Sequence, residues 1–400
     1  MARSRSRKSG NPETRYHKPG FLHQDPGDMT TAGPAREGPA VFASVRAPFL
    51  VSYQTAESVK HMGECNPVLV EVCRGDRIES RHRGACAVVA AGGALLRAWG
   101  DVERPVYPRS AIKPVQALSL LETGAADRFN LDDEEIALAC ASHNGEEYHR
   151  RRVLDWLARI GLSERDLECG PHDSINPEVT RERHRRHITA GAAMNNCSGK
   201  HAGFLTTALH MGEPVAGYIR PDHPVQQRVT GTIEAMAGIS LSSPSRRGID
   251  GCGIPTFAMP LVALARAMAR MLADDLPERR RLAAARILGA MATHPHCVAG
   301  TDRFDTRVIR QSGGRIITKT GAEGVYIAMI PAAGLAVALK IDDGARRASE
   351  TAMITVLDGL GLLDEKMRKG LADLMEPVLV NTLNEPVGRT RRGRDLVFDH

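Results

Sequence analysis

The chain has 400 residues, of which 42% are hydrophobic and 25% charged, which provides a substantial core and excludes a disordered protein. Its formal charge of +6 is carried by 44 Arg against only 9 Lys, with 4% aromatic residues. There is no basic stripe interleaved with stacking aromatics, so the charge is read as solvated surface and nucleic-acid binding is not expected. The most hydrophobic stretch, Val325 to Leu339, is interrupted by Pro331 and Gly334, so no membrane span is expected.

Residues 1–64 are rich in Pro, Gly, Ser and Arg without a sustained period, and are read as a flexible, disordered extension. Met62 is a candidate alternative start, and a transit peptide is disfavoured because acidic residues soon follow the basic opening. Residues 65–400 are read as a single domain. Val68–Val72, Cys86–Ala90 and Leu95–Trp99 form successive strands separated by Gly-containing turns. Arg109 to Leu121 follows as a helix, with Val115, Leu118 and Leu121 spaced to face a core.

Asp132 to Glu135 supplies an acidic start to the next helix, and Glu146 to Ile160 is amphipathic. Residues 170–199 read as a polar loop. Helical runs are expected at about 201–211, 222–237, 255–273 and 278–291. Strands return at Arg315–Lys319, Gly324–Ile330 and Leu335–Ile341, and a helix from about 345 to 361 closes the set. Strands at both ends around a helical middle predict an α+β fold, an α/β/α sandwich whose antiparallel sheet is assembled from both ends of the chain. The eight cysteines show no C-x-x-C pair or regular spacing, which points to a reducing, cytoplasmic setting.

Ser110 and Lys113 stand three residues apart at the start of a helical run, so an amine can face a hydroxyl on one turn. A serine hydroxyl needs a base to become a nucleophile, and lysine serves when its pKa is lowered. Chance alone supplies about 0.4 such pairs among 19 Ser and 9 Lys. Lys319-Thr320-Gly321, expected at a strand end, is rarer, at about 0.04. With Ser142-His143-Asn144 between them, the three motifs follow the order of the penicillin-binding and β-lactamase signature set. Taken singly, Lys319 would be a solvated strand-end lysine and Ser142 a capping loop residue; jointly they favour catalysis. Ser142 with Lys319 forms a second Ser/Lys pair, and the two ammonium groups would lower each other's pKa, making a neutral Lys113 more accessible.

Cys197 and Cys252 lie in polar, Gly-containing stretches, with Lys200 and His201 close to the first. They can be buried small hydrophobes, a disulfide or thiolate ligands of a soft metal.

From about Asn66 onward the chain resembles the rhizobial-type (class 3, asparaginase II) L-asparaginases, whose fold is like that of serine β-lactamases and glutaminases. The resemblance rests on Asn66-Pro67-Val68-Leu69-Val70-Glu71, Arg109-Ser110-Ala111-Ile112-Lys113-Pro114, Ala141-Ser142-His143-Asn144-Gly145-Glu146, Asn196-Cys197-Ser198-Gly199-Lys200-His201, Asp250-Gly251-Cys252-Gly253-Ile254-Pro255 and Lys319-Thr320-Gly321-Ala322-Glu323-Gly324. It implies hydrolysis of L-asparagine by a cytoplasmic homodimer, two Ser-Lys pairs (Ser110 with Lys113, Ser142 with Lys319), and a zinc site made of Cys197, Lys200 and Cys252. For the substrate's carboxylate and ammonium we nominate Arg109 and Asp250, with His201 nearby. A penicillin-recognising or glutaminase-type serine hydrolase, or a non-catalytic amino-acid-binding protein, is the alternative.

Overall fold

The computed structural model describes residues 65–398; the expected extension at residues 1–64 lies outside them. In chain order the strands are β1 (Val68–Arg74), β2 (Arg77–Ala90), β3 (Leu95–Trp99), β4 (Pro105–Val106), β5 (Arg247–Ile249), β6 (Pro255–Phe257), β7 (Met259–Pro260), β8 (Ile317–Thr320), β9 (Val325–Ile330), β10 (Leu335–Ile341), β11 (Val378–Val380) and β12 (Pro386–Arg392). The main sheet runs β11-β12-β1-β2-β10-β9-β8, with β3 also paired to β2, and every pairing is antiparallel. β4 with β7, and β5 with β6, form separate two-stranded ribbons.

β2 organises the sheet. Its first half pairs β1 and its second half, Gly84 to Ala90, pairs β10. Side chains alternate across a strand, so Ala85, Ala87 and Val89 enter one core while Cys86 and Val88 enter the other. On the first face the helix Leu261–Arg270 packs across β2 and β10. Its buried Leu261, Leu264 and Met268 contribute roughly 1.5–3 kcal/mol each by leaving water. On the second face the helix Arg346–Gly359 buries Ala348, Ala352, Met353 and Val356 beside Leu396 and Phe398. The expected three-layer sandwich is therefore the one observed.

Four expectations are corrected. The helix expected at about 255–273 begins only at Leu261, with β6 and β7 before it. Residues 170–199 contain a helix, Pro177–Arg185, whose polar sequence gives no apolar stripe to read; it is capped by Asn176, which accepts from the Glu178 amide at 2.9 Å. The predicted helix from Arg109 to Leu121 is broken into a 3-10 turn, Arg109–Ile112, and short helices Lys113–Gln116 and Leu118–Glu122; Pro114, lacking an N–H, sits at the first break. Beyond residue 361 the chain returns to the sheet, where β12 pairs with β1 from Val70 opposite Arg392 to Arg74 opposite Gly388. Of that strand only Thr390 is buried, and Arg391 pairs with Glu71 at 3.0 Å, so it carries no hydrophobic signature. Among the described residues no helix is long and apolar enough to cross a membrane.

Candidate active site

Ser110 lies on the 3-10 turn Arg109–Ile112, partly exposed, immediately after Arg109, which adopts φ 50°. A left-handed non-glycine residue costs on the order of 1–3 kcal/mol and persists where its surroundings hold it. Arg109 is held by Asp250, its Nε donating to Oδ1 at 2.7 Å. The end of β8 closes against the same turn. A Cβ on Gly321 would stand 2.8 Å from the Pro108 carbonyl oxygen, so glycine is what lets the Lys319-Thr320-Gly321 segment approach Ser110.

Lys113 and Lys319 are both fully buried. Lys113 Nζ donates to the Ala141 carbonyl, to Ser142 Oγ at 3.1 Å and to Cys197 Sγ at 3.2 Å. These are three acceptors for the three donors of an ammonium, and Ser110 is not among them. Lys319 Nζ lies 2.8 Å from the same Ser142 oxygen and 2.8 Å from the Thr320 carbonyl. Burial, and then the charge of Lys113, push Lys319 down from 10.5 to about 7. One hydroxyl thus bridges two amines, one of which is poised to exchange a proton near neutrality.

Ser142 is fixed through its backbone: its amide donates to the Val298 carbonyl at 2.9 Å. Asn144, two residues on, accepts from Arg303 at 3.0 Å and donates to Thr301 O at 3.1 Å. Asp305 holds the end of β8, accepting from the Thr320 amide at 3.1 Å and from the Tyr326 hydroxyl at 2.7 Å. Arg303 and Asp305 were not singled out from sequence. Asp305 stands in the first turn of the helix Phe304–Gln311, which the sequence reading did not assign, and nothing in the pattern shows that this turn faces the Lys319 strand.

The helix Ser198–Met211 begins beside these groups. Gly199 allows it, since a Cβ there would lie 2.3 Å from the Leu138 carbonyl oxygen. Cys197, Lys200 and Cys252 are all buried, and Lys200 Nζ donates to Cys252 Sγ at 3.0 Å. The hydrogen bond from Cys197 and the Lys200 charge hold Cys252 down at about 5, so it is a thiolate. The single Cys197 proton also has Asn196 Oδ1 at 3.0 Å. Burial would lower Lys200, but the two sulfurs and Asp250 outweigh it and raise it. None of the eight cysteines is in a disulfide.

The nominated substrate groups fall in different places. Arg109 and Asp250 pair with each other at the edge of the site. Asp250 is held below the usual carboxylate range: burial pushes it up, but Lys200 and Arg109 outweigh this. His201 is fully buried, 2.7 Å from the Tyr218 hydroxyl through Nδ1, in the core behind Lys200 and away from any surface.

Covalent amide hydrolysis needs a hydroxyl, an amine that is neutral near pH 7 and a route for protons between them, and the buried cluster contains groups of each kind. Comparison of sequences supplies the family. The family model described as L-asparaginase II matches residues 70–392, and the chain belongs to the L-asparaginase II family. No curated protein matches it. Among solved structures, Mglu in its native form is 13% identical at a TM-score of 0.39, the match covering 71% of this chain and 66% of that one. A putative β-lactamase from Bacteroides dorei is 14% identical (TM-score 0.36; 70% and 93% covered). The D-alanine carboxypeptidase AmpC of Burkholderia cenocepacia is 13% identical (TM-score 0.36; 69% and 93% covered).

Proposed function

We propose that the protein hydrolyses the side-chain amide of L-asparagine to L-aspartate and ammonia. The reading rests on the Lys113–Ser142–Lys319 chain, with Ser142 Oγ at 3.1 and 2.8 Å from the two amines. Neutral Lys319 takes the Ser142 proton while Ser142 draws one from Lys113, which leaves Lys113 as a free amine one helical turn from Ser110. Ser110 Oγ then attacks the carboxamide carbon and its proton passes to Lys113. In this mechanism the Ser110 amide, at the start of a turn where N–H groups have no intrahelical acceptor, holds the developing oxyanion. The C–N bond breaks as Lys113 returns the proton to the departing nitrogen, and ammonia leaves. Water cleaves the acyl-enzyme by the same route, losing a proton to Lys113, which restores the Ser110 hydroxyl.

Cys197, Lys200 and Cys252 fit a zinc ion. The two buried sulfurs each face an amine, Cys252 the Lys200 Nζ at 3.0 Å and Cys197 the Lys113 Nζ at 3.2 Å, and two thiolates with the neutral Lys200 amine are donors that suit zinc. When bound, zinc would supply a fixed positive charge and a Lewis acid at the wall of the pocket. In this reading Arg109 and Asp250 separate from one another to receive the substrate's carboxylate and ammonium.

The test is ammonia release from asparagine, glutamine and β-aspartyl peptides. Asparagine turnover is expected, with a loss of about 10³-fold or more in Ser110→Ala. Near-normal turnover by that variant, or asparagine binding without ammonia release, would overturn the assignment.

A further inference from the structure

Outside this site, Glu146, His149 and His296 bring three ligand atoms within 4.8 Å of one another. Glu146 is the N-cap of the helix Glu147–Arg159, His149 lies in its first turn, and His296 lies in the short helix Pro295–Val298. His296 Nε2 is 2.8 Å from Glu146 Oε2, and His149 Nδ1 is 4.0 Å from the same oxygen. The Thr301 hydroxyl is 3.2 Å from it.

His149 gives the cluster its direction. It is fully buried, and its Nε2 lies 2.9 Å from the His296 carbonyl oxygen, which only a protonated ring nitrogen satisfies. That fixes the tautomer with an unprotonated lone pair on Nδ1. Nδ1 is buried and has no hydrogen-bond partner, and it looks toward a carboxylate oxygen. A lone pair facing a carboxylate across 4.0 Å calls for a cation between them. The second oxygen, Oε1, is already held by the Asn144 amide at 3.1 Å and the Thr301 N–H at 2.8 Å, while Oε2 faces the His296 ring nitrogen and the Thr301 hydroxyl, the groups that would share the ion with it.

We propose that Glu146, His149 and His296 form a second metal site for a divalent transition ion of the zinc class, with Thr301 or water as the fourth ligand. Tetrahedral zinc holds N and O donors at about 2.0–2.2 Å, hence about 3.4 Å from each other. The observed 2.8 and 4.0 Å bracket that spacing. The ion takes the position between His296 Nε2 and Glu146 Oε2, with His296 binding through Nε2 as its Nδ1–H tautomer. A groove of about 750 Å³, lined in part by Gly145, Glu146, Met194 and Thr301, gives access. The ion would tie the helix start at residue 147 to the 295–301 segment, whose Val298 carbonyl holds the Ser142 amide.

The full chain, stripped by chelator and dialysed, is titrated with Zn²⁺ while bound equivalents are counted. His296→Gln, at a partly exposed side chain, is expected to bind one equivalent fewer than wild type, whatever Cys197 and Cys252 hold. Co²⁺ in the wild type should show a nitrogen–oxygen ligand-field component without thiolate charge transfer, which disappears in His296→Gln and in Glu146→Gln. Equal stoichiometry in wild type and His296→Gln, or a wild-type Co²⁺ spectrum of thiolate ligation alone, would overturn the site. The second result needs no variant to fold.

Discussion

Replacing Lys319 by methionine should remove activity and increase stability at the same time. In the folded protein burial and the Lys113 charge hold this amine at about 7, against an ordinary 10.5. Each pH unit between the two values is worth about 1.4 kcal/mol, so carrying Lys319 costs the fold on the order of 4–5 kcal/mol near neutrality. Methionine leaves Ser142 Oγ and the Thr320 carbonyl without their donor, which returns about 1–3 kcal/mol. A net gain of about 1–4 kcal/mol at pH 7 remains, and with it a rise of a few degrees in Tm. The sign follows from proton counting. Between about 7 and 10.5 the unfolded chain holds a proton on Lys319 that the folded chain does not, so wild-type stability rises with pH over that window. The advantage of Lys319→Met is therefore largest below pH 7, shrinks by about 1.4 kcal/mol per pH unit above it, and reverses before pH 10.5, where only the lost hydrogen bonds remain. Urea unfolding of both proteins at a series of pH values measures it, beside the ammonia assay, where kcat should fall by about 10²–10⁴. A variant less stable than wild type at pH 7, by a margin independent of pH, would show that Lys319 is a well-paired ammonium and would remove it as the neutral amine.

The remaining expectations use other parts of the site. The acid limb of the wild-type kcat/KM profile should have a midpoint near 7, set by Lys319, and a profile flat from pH 5 to 9 would exclude Lys319 as the proton acceptor. Asp250→Asn, which breaks the pair with Arg109 at 2.7 Å, should raise KM for asparagine by about tenfold or more while kcat changes little; a fall confined to kcat would move Asp250 from binding to chemistry. Chelation, or Cys252→Ser, should weaken activity through KM, whereas complete loss of kcat in a protein that keeps its circular dichroism would give the metal a chemical role. Gly199→Ala puts a methyl group 2.3 Å from the Leu138 carbonyl oxygen, a backbone collision without a flexible neighbour, and should lower stability by about 2–4 kcal/mol in thermal melts; an unchanged Tm would show that the two helices slide apart at no cost.

What could be read along the chain and what could not differ for physical reasons. β9 and β10 are fully or nearly fully buried and therefore appear as apolar runs that no other element would explain. The helix Asp133–Ala139 announces itself through a capping box, Asp132 with Glu135, which is a local arrangement of neighbours in sequence. β12 is invisible by the same logic: its arginines face water, and its place beside β1 is decided by main-chain hydrogen bonds that any residue except proline can make. The helix Pro177–Arg185 buries only Arg183 among its residues, so there was no stripe to find.

The site divides along the same line. Ser110, Lys113, Ser142 and Lys319 could be listed from the order of three motifs, but the pairing within the list is a long-range fact. A spacing of three suggests that Lys113 serves Ser110. The fold instead turns Lys113 toward Ser142, its amine held by the Ala141 carbonyl, Ser142 Oγ and Cys197 Sγ, which come from segments distant in sequence. The depressed amine accordingly falls on Lys319, whose burial and the Lys113 charge outweigh its bonds to Ser142 and a carbonyl and the charge of Asp305. Arg109 and Asp250, nominated separately for opposite ends of a zwitterion, hold each other. Two opposite charges that both suit one substrate also suit one another when it is absent, and their separation by substrate is the step that would couple binding to the backbone strain next to Ser110.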